Sequence, residues 1–262
     1  MPVARLILQN LKKNLLDAAS TGIVNLVLWV TQQALRLNKS MSTWQVKEVL
    51  KSAKYTWRRV RKSMKKQRDE CLFEFFKQEI VELCVLDKKK LIRLWFYGES
   101  GFNLNPNALY AWLPPHKEAK NISLPAKRGN VLTVAGFPQH DNTLEAYSHK
   151  EAMNAHSFIA FTEDFIRNQV LGSNIQNIVI IDNASFHKAQ MSKQKMQQWK
   201  KQNLFFQFIP PYCSELNHIE MLWRFIKTHW LYIQDYESEE KLVRAINFII
   251  NDFDDKYTIN FS

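Results

Sequence analysis

The sequence predicts a mixed α/β fold, a sheet covered by helices, preceded by a small all-helical domain. Three observations predict it. The N-terminal third carries apolar residues at helical spacing. From Leu91 the pattern changes to short apolar or alternating runs bounded by turn residues. Beyond Phe158, helix-like and strand-like segments alternate, and strands followed by alternating helix and strand give a mixed sheet with helices packed on it.

Taken in order, residues 6–19 and 23–37 are apolar-rich and free of proline, which suits two helices. A third helix starts at Ser42, where Gln45 three residues on completes a capping-box pattern. Val46, Val49, Leu50 and Ala53 form its apolar stripe, with Thr43, Lys47 and Lys51 opposite. The break Lys54-Tyr-Thr-Trp57 leads into Arg58-Arg-Val-Arg-Lys62. Short helices closing on a basic segment suit a helix-turn-helix whose later helix enters the major groove; the alternative is a small bundle with a basic surface. Residues 71–85 predict an amphipathic helix through Leu72, Phe75, Phe76, Ile80 and Leu83, linking the domains. Strands are expected at 91–97, ending at Gly98, and at 108–113, 131–137, 143–147, 178–181 and 204–209. Helices are expected at 158–170, 189–201, 220–230 and 239–253.

Charge is unevenly placed. Residues 1–90 hold 19 Lys/Arg against 8 Asp/Glu, and residues 91–262 hold 17 of each, so the net charge of +11 lies entirely in the first third. Residues 51–68 contain nine basic side chains and no acid. Such a block is a solvated surface or a face for a polyanion such as nucleic acid. The composition, 46% hydrophobic and 23% charged, excludes global disorder. Cys71, Cys84 and Cys213 lack metal-ligand spacing and fit a reducing, cytoplasmic setting. The apolar run at residues 23–30 is too short to cross a bilayer, so no membrane partner is expected.

Two carboxylates stand out. Ile178-Val-Ile-Ile-Asp182 puts an acid at the carboxyl end of an apolar strand, where open α/β sheets place their ligand sites. A second strand, Leu204-Phe-Phe-Gln-Phe-Ile209, leads through a turn rich in Pro, Ser and Asn to Glu220 at the start of a helix. If the two strands are parallel neighbours, Asp182 and Glu220 meet, and paired carboxylates suit Mg²⁺ or Mn²⁺ and phosphoryl transfer. Taken singly, Asp182 is a turn cap and Glu220 a first-turn acid facing the helix dipole or Arg224.

The segments Glu99-Ser-Gly-Phe102, Tyr110-Ala-Trp112, Ile181-Asp-Asn-Ala-Ser-Phe-His187 and Pro210-Pro-Tyr-Cys-Ser-Glu-Leu-Asn-His-Ile-Glu-Met-Leu-Trp223 carry a resemblance. Over roughly residues 40–232 the chain resembles the IS630 branch of the IS630/Tc1/mariner transposases, which share a ribonuclease-H-like DDE catalytic domain. The resemblance implies metal-dependent DNA cleavage and strand transfer, with Mg²⁺ or Mn²⁺ as cofactor. Terminal-repeat and target DNA would be partners, and a homodimer the assembly. It makes Asp182 the second catalytic acid and Glu220 the third, both metal ligands. Asn183 is a candidate either to orient the Asp182 carboxylate or for a simple turn role, and His187 either a contact to metal or DNA or a turn hydrogen-bonder. Lys47, Lys51, Arg58, Arg59, Arg61, Lys62, Arg224 and Lys227 are candidate DNA-binding residues, the last two lying one and two turns beyond Glu220.

The chain departs from that pattern in places. Gly98 stands where the family has its first catalytic aspartate. Glu99 substitutes for it only if a bulge re-aims its side chain; otherwise a metal ligand is missing and the chain is a DNA-binding remnant unable to cut. His218 replaces the family's usual proline before Ile-Glu, which is expected to loosen the turn that holds Glu220. Family members carry two helix-turn-helix units where this chain has room for one, so truncation at the N-terminus is expected. The expected division is a helix-turn-helix (winged-helix-like) domain at 1–68, a linking helix at 69–88 and the catalytic domain at 89–262.

Overall fold

The computed structural model describes residues 42–52, 54, 67–106 and 129–261. The chain divides into two compact units, Met1–Lys62 and Ser63–Ser262. The boundary falls ahead of the expected one at residue 68 because Arg68 belongs to the second unit. Its guanidinium pairs with Glu70 at 2.8 Å and with Glu215 at 2.5 Å, and lies 3.8 Å from the Phe73 ring centre.

In the first unit, helix α1 (Thr43–Ser52) follows Ser42 as expected. Val46 is buried, Val49 and Leu50 are half-buried, and Lys47 and Lys51 are exposed, which is the amphipathic division read from the sequence. The helices expected at 6–19 and 23–37, Ala53, the basic residues Arg58, Arg59, Arg61 and Lys62, and the strand expected at 108–113 with its Tyr110-Ala-Trp112 motif lie outside the described residues.

The second unit begins with helix α2 (Glu70–Lys88), started by the Asp69 carboxylate, which accepts from the Leu72 N–H at 3.0 Å. Phe73 and Ile80 are buried, whereas Leu72 and Phe75 face outward. Phe76, Ile80 and Leu83 pack on the core as expected, and Phe73 takes the place expected of Leu72 and Phe75. The run Leu72-Phe73-Glu-Phe75-Phe76 offers two overlapping stripes, and the one through Phe73, Phe76, Ile80 and Leu83 packs on the core. The helix is therefore part of this unit, not a free linker.

The strands are β1 (Ile92–Phe96), β2 (Gly98–Phe102), β3 (Leu132–Pro138), β4 (Leu144–His149), β5 (Gln176–Ile181) and β6 (Leu204–Phe208). β1, β5 and β6 form a parallel ladder in that order, and β2, β3 and β4 an antiparallel one. Only Tyr97 separates β1 from β2, and its N–H donates to the Ile180 carbonyl at 2.8 Å. One run of chain therefore feeds both ladders and joins them end to end. Gly98 does not end the strand as expected; it opens the antiparallel half, where Gly98 pairs with Gly136.

Helices α3 (Ala155–Phe165), α4 (Gln190–Trp199), α5 (Ile219–Phe225) and α6 (Glu239–Asn251) complete the unit, with single π-helical turns extending α3 over Ile166–Val170 and α5 over Ile226–Trp230. Asn154 and Ser157 cap α3 reciprocally, and the Ser238 hydroxyl accepts from the Lys241 N–H at the start of α6. Side chains alternate between the faces of the sheet with period two. Leu94, Phe96 and Ile180 join a core with α2, α5 and α6; Trp95, Tyr97, Val179 and Ile181 join another with α3 and α4. Both faces are buried, so the strands read as continuous apolar runs. Fully burying each such side chain is worth roughly 1.5–3 kcal/mol.

Candidate active site

Asp182 is the first residue beyond β5. Apolar Ile178–Ile181 stays in the ladder because both faces are covered, and the chain leaves it at the first side chain that needs solvent. The carboxylate is held from behind. Its Oδ1 accepts from the Ala184 N–H at 2.9 Å and lies 2.9 Å from Nδ1 of His187. Burial alone would raise the Asp182 pKa, but the His187 hydrogen bond, the Ala184 N–H and the charges of His187 and Lys188 bring it below the ordinary carboxylate range.

His187 is completely buried in an aromatic box of Tyr97, Phe158 and Phe186, with ring centres 4.2–5.3 Å away. Besides the Asp182 carboxylate, its Nδ1 lies 3.3 Å from the Asp182 carbonyl oxygen. Asn183 does not touch that carboxylate. Its amide donates to the carbonyl of Ile209 and ties together the ends of β5 and β6.

β5 and β6 are parallel neighbours, as the pairing of the two acids requires. From β6 the chain passes Pro210 and Pro211 to α5, where Glu220 is the second residue and its N–H donates to the Asn217 carbonyl at 3.1 Å. Glu220 has exposed surface, yet the protein around it and the charge of Asp182 raise its carboxyl above the usual range, with Lys227 pulling the other way. Glu220 therefore senses the charge of Asp182. Lys227 is half-buried in the π-helical turn, its Nζ 5.0 Å from the Phe102 ring centre, and burial lowers its pKa against the pull of Glu220. Arg224, exposed one turn earlier, lies over Phe225.

Gly98 and Glu99 divide between the faces. Continuing the register beyond Phe96↔Ile180 brings Gly98 level with Asp182, the place a first acid would need. A Cβ on Gly98 would lie 2.7 Å from Cγ2 of Ile219, 3.7 Å from Nδ2 of Asn217 and 3.8 Å from Nε1 of Trp223. Ile219 thus fills the space, while the buried Trp223 Nε1 has no hydrogen-bond partner among the described residues. Glu99 pairs with Ala135 in a one-to-one ladder, so no bulge re-aims it. It nevertheless feels the charges of the site. Burial pushes its carboxyl up to about 7, with His187 opposing and Asp182 and Glu220 adding to the rise, and its Oε2 is buried without a partner among the described residues. Among the described residues, no three His, Cys, Asp or Glu are gathered closely enough to form a ready-made metal site.

His218, expected to loosen this turn, is packed and hydrogen-bonded there. Its ring stacks on Phe96 at 4.4 Å and 13°, and its Nδ1 lies 2.7 Å from Nε2 of His140. No sequence signal marks His140, because its partner is 78 residues away.

The family described as DDE superfamily endonuclease matches residues 93–243. No curated protein matches the chain. Among solved structures, the chain is similar to a Mos1 transposase paired-end complex with the left transposon end, at 16% identity and TM-score 0.55, covering 95% of this chain and 72% of that one. A pre-cleavage Mos1 transpososome is similar at 15% identity and TM-score 0.56, with the same coverage. A Mos1 mariner paired-end complex with Mn is similar at 16% identity and TM-score 0.56, covering 93% of this chain and 72% of that one. At these identities the likeness is one of fold, the ribonuclease-H-like sheet flanked by helices. Among the described residues, no helix is long and apolar enough to cross a membrane.

Proposed function

The chain belongs to the DDE superfamily endonucleases, and on that premise we propose that it is a transposase that binds the DNA ends of its element, cleaves them and joins them to target DNA. The observation that carries this reading is the pair of carboxylates at the strand ends. Asp182 is pinned by His187 and Ala184, and Glu220 lies within range of its charge at the start of α5.

The donor set fits a divalent ion. The Asp182 carboxylate raises the cost of ionising Glu220, a cost that a hard cation between the two oxygen ligands would relieve, and Glu99, whose Oε2 is buried without a partner among the described residues, feels both charges. Asp182 and Glu220 would hold Mg²⁺ or Mn²⁺, which when bound supplies charge neutralisation at the scissile phosphate and a more acidic water. The remaining work falls to the protein. His187 and the Ala184 N–H fix the Asp182 carboxylate, so no reorganisation is needed at the moment of reaction. Lys227 and Arg224, on the helix that carries Glu220, would hold neighbouring phosphates. The basic residues of the first unit, Lys47 and Lys51 among them, would hold the element ends.

A specific observation favours a second reading, a DNA-binding remnant unable to cut: Gly98 offers no carboxylate, and Ile219 occupies its place. Purified full chain, Mn²⁺ and a labelled duplex carrying the ends that flank its coding region separate the two. Cleavage that Asp182→Asn abolishes supports the transposase. Salt-sensitive binding without cleavage supports the remnant, and absence of both overturns each.

A further inference from the structure

We propose that His140 is a positioning residue for Glu220, acting through a clamp on His218 made of the His140 hydrogen bond and the rings of Phe96 and Phe261. The proposal rests on the reading of Glu220 as a metal-holding carboxylate.

Four elements converge on the clamp. Phe96 ends β1, His140 follows β3, His218 precedes α5, and Phe261 comes from the segment after α6. The His218 ring is nearly parallel to Phe96 on one side, at 13° and 4.4 Å, and to Phe261 at 7° and 6.3 Å. His140 meets Phe96 and Phe261 edge-on at 5.1 and 5.8 Å. The 2.7 Å contact between Nε2 of His140 and Nδ1 of His218 is a short hydrogen bond that needs one proton between the two nitrogens. Asn142, two residues beyond His140, accepts from the Ile259 N–H at 2.8 Å and holds the Phe261 segment over the pair.

The clamp fixes the backbone that aims Glu220. The carbonyl of His218 accepts from the Met221 N–H at 3.0 Å, and that of Asn217 from the Glu220 N–H at 3.1 Å. α5 has no side-chain cap at this start. His218 has φ −65° and ψ −20°, a conformation that proline holds by ring closure, and a first-turn N–H has no intrahelical acceptor to lose. The preceding Asn217 is extended, at φ −97° and ψ 104°, as the residue before proline must be. A hydrogen bond and a ring stack thus do here what a proline would do covalently.

The equivalence supplies the test, in the full chain. His140→Phe keeps the ring packing and removes the hydrogen bond; His140→Gln keeps an amide that can replace it; His218→Pro makes the clamp unnecessary. Amide exchange at Glu220 and Met221 is read without metal, and Mn²⁺ affinity is read by calorimetry. In the unmodified background, His140→Phe should speed exchange and weaken Mn²⁺ binding by about fivefold, the factor carried by one net hydrogen bond, and His140→Gln should restore most of both. In the His218→Pro background, His140→Phe should change neither. Equal effects in both backgrounds, or a lower melting temperature with unchanged exchange at Glu220, would overturn the clamp. Glu220→Gln separates the two ideas: if it leaves Mn²⁺ affinity unchanged, the ligand reading fails, while the exchange measurement still decides the clamp.

Discussion

Gly98→Asp is the change that would restore a first acid, and the structure predicts that it fails alone. The new Cβ would sit 2.7 Å from Cγ2 of Ile219, about 1 Å inside the 3.5–4.0 Å separation of carbons in contact. Ile219 is fully buried and cannot swing into solvent. Overpacking of this kind costs about 1–3 kcal/mol. The carboxylate would gain the unpartnered Trp223 Nε1–H, and a hydrogen bond to a charged group returns roughly 1.5–3 kcal/mol. The clash is therefore the term that decides the sign, and it is removable. Leucine at 219 has no β-branch, and this volume-conserving swap costs less than about 1.5 kcal/mol. Urea denaturation of the four-member cycle should give a favourable coupling between Gly98→Asp and Ile219→Leu of at least about 1 kcal/mol, because only the single Gly98→Asp variant carries the clash. Mn²⁺-dependent cleavage of the end duplex should rise only in the double variant. A single Gly98→Asp variant as stable as the unmodified chain, with no coupling to Ile219→Leu, would refute the reasoning.

Other outcomes follow from the same geometry. His187→Ala leaves Asp182 without its main partner, so the Asp182 pKa should rise into or above the ordinary range in an NMR titration, and the buried box should lose roughly 2–4 kcal/mol of stability. Replacing Lys47, Lys51, Arg58, Arg59, Arg61 and Lys62 by Gln should flatten the dependence of DNA binding on salt, by about 0.9 in log–log slope for each phosphate no longer neutralised, measured by anisotropy on the full chain; an unchanged slope removes them from the interface. The His140–His218 pair makes the fold acid-sensitive. The folded-state pKa of His218 is lowered to about 4 and that of His140 is also lowered, so the unfolded chain takes up protons first and stability falls as pH drops from the ordinary histidine value of about 6.5 toward 4. Asp87 and Asp141 oppose this shift at His140, Lys88 supports it, and Cys84, 4.0 Å away, is neutral there. The melting temperature of His140→Phe should depend less on pH than that of the unmodified chain across this window.

How much of this was legible follows from the range over which each signal acts. Ile178–Ile181 and Leu204–Phe208 are apolar almost throughout, so burial on both faces and the acid at the strand end could be read from a few adjacent residues. The first turn of the α2 face could not. With Leu72, Phe73, Phe75 and Phe76 all apolar, helical period alone does not choose between two stripes, and the choice is made by what α2 packs against. Tyr97 and Gly98 show the same limit. A glycine after an apolar run reads as a strand end, yet Gly136 lies opposite and the chain passes into a second ladder.

The site divides along the same line. Asp182 with His187 spans five residues and is written in one motif, whereas Glu99, Ile219 and His140 act through contacts that no local spacing encodes. Strand alternation explains why Gly98 and Glu99 cannot exchange roles. Gly98 faces α5, where Ile219 and Trp223 wait, and Glu99 faces the Tyr97 and Ala135 side, where its carboxyl is desolvated and pushed up to about 7. An acid at 98 would be a neighbour of Asp182 across the ladder; the acid at 99 lies on the other face. If Glu99 serves the metal, Glu99→Gln must weaken Mn²⁺ binding while raising stability, since a neutral amide escapes the desolvation that Glu99 suffers. If it does not serve the metal, stability alone changes. The ratio of those two effects, measured by calorimetry and by urea denaturation on one pair of proteins, decides whether this chain found a replacement for its first acid or lost it.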